Sequence, residues 1–78
     1  MQSVSMEDAV TLWSAVETLS GDLRAVVVLF YYEDMSIKEI SGITGVSQGA
    51  VKTRLSRARA KLRSMLAPEG EAGNEYTG

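Results

Sequence analysis

Twelve residues in the middle of the chain leave the backbone little freedom. Ser36-Ile37-Lys38-Glu39 has the form of a capping box: a hydroxyl at the N-cap and a carboxylate three residues on, each able to satisfy an unpaired backbone N–H. Gly45 stands where a helix opened at Ser36 needs a left-handed C-terminal residue. Val46 follows as an apolar plug, and Ser47 can cap a new helix at once. The stretch therefore predicts a helix over Ile37–Thr44, a turn at Thr44-Gly45-Val46 and a second helix from Gln48. Two helices joined by so short a turn make a helix-turn-helix.

The flanking sequence reads as helical too. Met6, Ala9, Val10, Trp13, Val16 and Leu19 recur at three- and four-residue steps, predicting a helix from about Met6 to Leu19 with Trp13 in the core. Glu7 and Asp8 fall in its first turn, where the helix dipole favours anions. Ser20 offers an N-cap for a second helix from about Asp22 to Tyr32. The run Ala25 to Tyr32 is β-branched and aromatic enough to pass for a buried strand, but no second strand exists to pair with it. Phe30 reads equally as core or as part of an exposed apolar patch, and Tyr31 and Tyr32 as half-buried. Ile40 and Ile43 are the expected buried positions of the short third helix. The last helix should run from Gln48 to about Leu66, with Val51, Leu55, Ala58, Leu62 and Met65 or Leu66 facing inward, and Pro68 should stop it. The expected architecture is an all-α, small four-helix domain over 6–66 with a C-terminal helix-turn-helix. Residues 1–5 read as a disordered tail and 67–78, Gly-rich and acidic, as another.

Composition narrows the function. The chain of 78 residues has neither cysteine nor histidine, which removes thiolate metal sites, disulfides and the commonest general base. No cofactor, metal or catalytic residue is expected, and the chain does not read as an enzyme. Glu33 and Asp34 read as a solvated turn rather than an acid/base or metal pair. No apolar run approaches the ~20 residues of a membrane span, and a soluble, cytoplasmic protein is expected.

The net charge of −2 conceals a strong asymmetry. Residues 1–51 hold two basic and seven acidic side chains, residues 52–66 six basic and no acidic, and residues 67–78 three acidic. Six cations without an intervening acid are unusual for a merely solvated helix face, which tends to alternate charges. A helix-turn-helix presents the start of its second helix to base edges and phosphates. Here the helix N-terminus offers free N–H groups to a phosphate, and Gln48 and Thr53 add donors. Lys52, Thr53, Ser56 and Arg57 are spaced to share one outward face, where an arginine suits guanine O6 and N7. Arg54, Arg59, Lys61 and Arg63 are expected to point elsewhere, as phosphate neutralisers or solvent charges. Ser41 and Gly49–Ala50 are small enough for close backbone approach.

The segments Asp22–Leu29, Tyr31–Ser36 and Lys38–Ile40, followed by Gly45–Leu62, resemble region 4 of bacterial sigma-70 family factors, most closely the extracytoplasmic-function group. The run Gly-x-Val-Lys-x-Arg-Leu-x-Arg-Ala-Arg (Gly49 to Arg59) is the most specific part, and the resemblance covers about residues 6–66. It implies recognition of the promoter −35 element within an RNA polymerase holoenzyme, contact with the flap of the polymerase β subunit, and an anti-sigma factor as partner. Carried onto matching positions, base reading falls on Lys52, Thr53, Ser56 and Arg57, and phosphate contact on Ser47, Gln48, Gly49 and Arg54, with Arg59 as a further phosphate neutraliser. Two positions depart from the family pattern: Phe30, where arginine is frequent, and Ile37, where an aromatic is frequent. Those departures motivate one alternative, a sigma-like module acting mainly in protein binding as an anti-sigma partner or decoy. A LuxR-type response-regulator output domain is another.

Overall fold

A computed structural model describes residues 6–66, and side chains from Val10 onward. The expected tails at 1–5 and 67–78, the stop at Pro68 and the side chains of Met6 and Ala9 lie outside that description. The described residues form four helices: α1 (Met6–Glu17), α2 (Gly21–Val27, continued by a π-helical turn, Val28–Tyr32), α3 (Ile37–Thr44) and α4 (Gln48–Leu66). No strand occurs among the described residues, so the β-branched run at Ala25–Tyr32 is helical.

α1 ends at Glu17, two residues before the expected Leu19. Its last turn tightens into i→i+3 bonds, from the Thr18 N–H to the Ala15 carbonyl and from the Leu19 N–H to that of Val16, both at 3.1 Å. The Thr18 hydroxyl also donates to the Ala15 carbonyl at 2.7 Å. The buried strip of α1 differs from the expected one. Ala15, Val16 and Leu19 are buried and Leu12 half-buried, whereas Val10 is 59% and Trp13 39% exposed. Leu12, Val16 and Leu19 already satisfy the i, i+4, i+7 spacing. Trp13, one residue and about 100° round the helix from Leu12, falls at the strip's border. There it packs against Tyr32 with ring centroids 5.2 Å apart and planes at 72°, the edge-to-face arrangement aromatic rings favour.

Ser20 occupies the N-cap of α2 in extended conformation, and its carbonyl accepts from the Arg24 N–H at 2.8 Å, but its hydroxyl makes no capping bond. Leu23, Val26 and Val27 turn inward at i, i+3, i+4. Beyond Val27 the ladder widens, and the Glu33 N–H reaches the Val28 carbonyl at 2.9 Å. Asp34 then takes φ 58°, and the Met35 N–H returns to the Leu29 carbonyl at 3.0 Å. The wide turn keeps Val28, Leu29 and Phe30 half-buried and leaves Tyr31 and Tyr32 exposed rather than half-buried. Phe30 packs against the core and edge-on to Tyr31 at 4.9 Å, and Ile37 is also packed on the core, so both apolar departures serve packing.

α4 packs against all three other helices. Val51, Leu55 and Ala58 have no accessible surface, nor do Val26 and Ile40 across from them. Leu62 is half-buried, whereas Met65 and Leu66, one or other of which was expected to continue the inward stripe, are both exposed. Among the described residues no polar side chain is buried, and no helix is long and apolar enough to cross a membrane.

Candidate nucleic-acid interface

The turn between α3 and α4 is fixed by short-range bonds. Ser36 and Glu39 complete the capping box: the Glu39 N–H donates to Ser36 Oγ at 3.0 Å and the Ser36 N–H to Glu39 Oε1 at 2.9 Å. Ile40 anchors α3 in the core, but Ile43 is 62% exposed, against expectation. α3 is only eight residues long, and one narrow face, Ile37, Ile40, Ser41 and Thr44, is buried or half-buried. Gly45 adopts φ 79°, and its N–H donates to the Ser41 carbonyl at 3.0 Å. Two side chains then bind the turn to the end of α3. The Ser41 hydroxyl donates to the Val46 carbonyl at 2.6 Å. The Thr44 hydroxyl donates to the Ile40 carbonyl at 2.8 Å and accepts from the Val46 N–H at 3.4 Å. The role of Ser41 is thus a hydrogen bond across the turn, beyond its small size. That of Thr44 has no strong sequence signal, since hydroxyl residues also sit in helix ends without such bonds.

Ser47 opens α4 as expected: its hydroxyl accepts from the Ala50 N–H at 3.1 Å. The Val51 N–H donates to the Ser47 carbonyl at 3.0 Å. Ala50 and Val51 are therefore served, and among the described residues the N–H groups of Gln48 and Gly49 have no internal partner. Both residues are exposed. A Cβ on Gly49 would meet only Ser47 Oγ at 3.9 Å, ordinary contact, so Gly49 does not mark a close approach within the domain.

With Val51, Leu55 and Ala58 inward, the opposite side of α4 is set. Lys52, Thr53, Ser56 and Arg57 are all exposed, and at about 100° per residue they span an arc of roughly 140° facing away from the core. Arg54 is half-buried on one flank of that arc, and Arg59 is exposed on the other. Arg63 is also exposed; it lies about two turns beyond Ser56 on the same side, rather than elsewhere as expected. α4 carries no carboxylate, and among the described residues its cations make no ion pair.

A second surface lies away from this arc. Leu12, Trp13, Val27, Tyr31, Tyr32 and Leu62 line an apolar groove of about 400 Å³ between α1, the π turn and the far end of α4. The sequence does not announce it, because the groove depends on the exposure of Trp13, expected in the core, and of Tyr31 and Tyr32, expected half-buried.

Residues 9–62 match the family model described as Sigma-70, region 4. The chain belongs to the sigma-70 region 4 family. Its relatives include the RNA polymerase sigma-E factor of Streptomyces antibioticus, 42% identical over 59 residues, which are 76% of this chain and 33% of that protein. The ECF RNA polymerase sigma factor SigW of Bacillus subtilis is 38% identical over 63 residues, 81% of this chain and 34% of the other. The ECF RNA polymerase sigma factor SigE of Mycolicibacterium smegmatis is 41% identical over 56 residues, 72% and 22%. These relatives place the region 4 domain in the extracytoplasmic-function group. It spans about a third or less of their lengths.

Proposed function

We propose that this region 4 domain reads the −35 element of a promoter through α4, as part of an alternative sigma factor that directs RNA polymerase to initiate transcription in the cytoplasm. The observation that carries the reading is the arc of Lys52, Thr53, Ser56 and Arg57, exposed and free of carboxylates on the second helix of a helix-turn-helix. These four side chains contact base edges. Ser47, Gln48, Gly49, Arg54 and Arg59 contact phosphates, with the Gln48 and Gly49 N–H groups aimed by the helix dipole. The domain contributes binding and no chemistry of its own. The apolar groove at Trp13 and Tyr32 takes the flap of the polymerase β subunit, and an anti-sigma factor competes for the domain. A protein-binding decoy is disfavoured, because Phe30 and Ile37, its motivation, are packed on the core.

Selection from random duplexes with the full chain tests the reading. One enriched motif is expected. Arg57→Ala should lower discrimination at one base position of that motif by about 1–3 kcal/mol. Arg54→Ala should weaken binding to all sequences alike and flatten the dependence of log K on log salt by about 0.9. Loss of Arg57 without any change in base preference would remove it from the reading set.

A further inference from the structure

The corner between α1 and α2 faces the far half of α4 across a cleft of about 440 Å³. Thr18, Leu19 and Ser20 line one wall, and Lys61, Ser64 and Met65 the other. The Thr18 hydroxyl, which donates to the Ala15 carbonyl, also lies 3.2 Å from the Met65 sulfur, so the two walls meet there. The other donors of the cleft have nothing to donate to. Ser20 stands at the N-cap of α2, yet its hydroxyl makes no capping bond. Among the described residues neither the Lys61 ammonium nor the Ser64 hydroxyl has a partner. All three side chains are exposed. Glu17 and Asp22 flank the corner in sequence, but neither lines the cleft.

The α4 wall of the cleft continues one edge of the outward arc. Arg57, Lys61 and Ser64 stand at i, i+4 and i+7, within about 60° of one another round the helix. Lys61 lies one turn, about 6 Å, past Arg57, and Ser64 about 10 Å past it. A nucleic-acid strand that follows this edge from Arg57 meets the cleft next.

We propose that the cleft takes a backbone phosphate of the DNA strand that passes Arg57, held by Lys61 and Ser64 from α4 and by Ser20 from the α1–α2 corner. The contact rests on the reading of α4 as the DNA-contacting helix, and it extends the interface to a second element of the fold. The donor set suits the ligand. A lysine supplies a point charge, two hydroxyls on opposite walls supply uncharged donors, and a phosphate offers several acceptor oxygens to receive them. Such a contact carries no sequence information and fixes position instead. It anchors the far end of α4 while the first turns of the helix read bases.

The test uses the full chain and a dye-labelled duplex. Ser20→Ala removes a hydroxyl that caps nothing, so the fold stays as it is. The variant should weaken binding to every sequence by roughly three- to tenfold, without changing base preference. Lys61→Ala should do the same and also flatten the dependence of log K on log salt by about 0.9, whereas Lys61→Arg should keep the slope. Single phosphates of the duplex are then replaced by neutral methylphosphonates. At one position the replacement should weaken the parent and leave the Ser20→Ala, Lys61→Ala double variant unaffected. Unchanged affinity in Ser20→Ala, or a double variant as sensitive as the parent at every phosphate, overturns the proposal while base selection by Arg57 stands. If no duplex binds the parent, the reading of α4 itself fails, and the contact with it. Shifts of the Ser20, Lys61 and Ser64 amide signals with inorganic phosphate, without these losses on the duplex, would assign the cleft to a free phosphate and overturn the DNA contact.

Discussion

Gly42 and Gly45 lie three residues apart on either side of the end of α3, and the same substitution should move stability in opposite directions at the two. A Cβ would meet nothing within 4 Å at either position, so packing drops out of the comparison. What remains is backbone conformation. Gly45 has φ 79°, and Gly42 lies within helix α3 without a positive φ. An alanine held in the left-handed region costs about 1–2 kcal/mol, offset by about 0.4–1 kcal/mol from the smaller entropy of the unfolded chain. Gly45→Ala should therefore destabilise by about 1 kcal/mol, which lowers Tm by roughly 4–8 °C in a domain of this size. Gly42→Ala removes only the entropic handicap of glycine in a helix, and should stabilise by about 0.5–1 kcal/mol. Gly45→Asn should recover part of the loss, because asparagine tolerates the left-handed region. Urea and thermal unfolding followed by far-ultraviolet circular dichroism measure all three. Shifts of the same sign for the two alanine variants would refute the conformational account. A loss above about 3 kcal/mol at Gly45 would also do so, by pointing to a clash that the open space around it excludes.

Ser36→Ala breaks the capping box at the entrance to α3 and should cost about 1 kcal/mol, read from the urea midpoint. Leu55→Ala empties a fully buried position where α4 meets the core, and should cost about 2–5 kcal/mol. For a chain of 78 residues, total stability is on the order of 4–12 kcal/mol. Amide hydrogen exchange should therefore show protection falling in all four helices together rather than in α4 alone.

The parts of the fold legible in the sequence are those decided by local chemistry. The bounds of α3, the left-handed Gly45 and the cap at Ser47 follow from hydroxyls, a carboxylate and a missing Cβ acting within four residues. The inward stripe of α4 was legible because Val51, Leu55, Ala58 and Leu62 are almost the only apolar choices among charged neighbours, and fixing that stripe also fixed the outward arc. Where apolar residues were plentiful, the pattern was ambiguous. α1 carries enough of them to offer two adjacent faces, and only the placement of α4 selects the strip of Leu12 over that of Val10 and Trp13. Ile43 fits the helical period of Ile40, yet a helix of eight residues has too little length to bury both. The exposure of Tyr31 and Tyr32 depends on i→i−5 bonding after Val28, for which no side chain gives notice.

Trp13 is the only tryptophan of the chain, and it stands at the rim of the apolar groove, edge-on to Tyr32. Leu62, which shares that groove, belongs to the inward stripe of α4, on the side opposite Lys52, Thr53, Ser56 and Arg57. The molecule thus carries its single tryptophan at the groove, and among the described residues the outward arc of α4 holds no aromatic side chain. Its emission follows whatever fills the groove and is blind to a duplex lying along α4. Occupancy of the two faces becomes optically separable in a single unlabelled sample, with protein partners read by intrinsic fluorescence and DNA by a dye on the duplex.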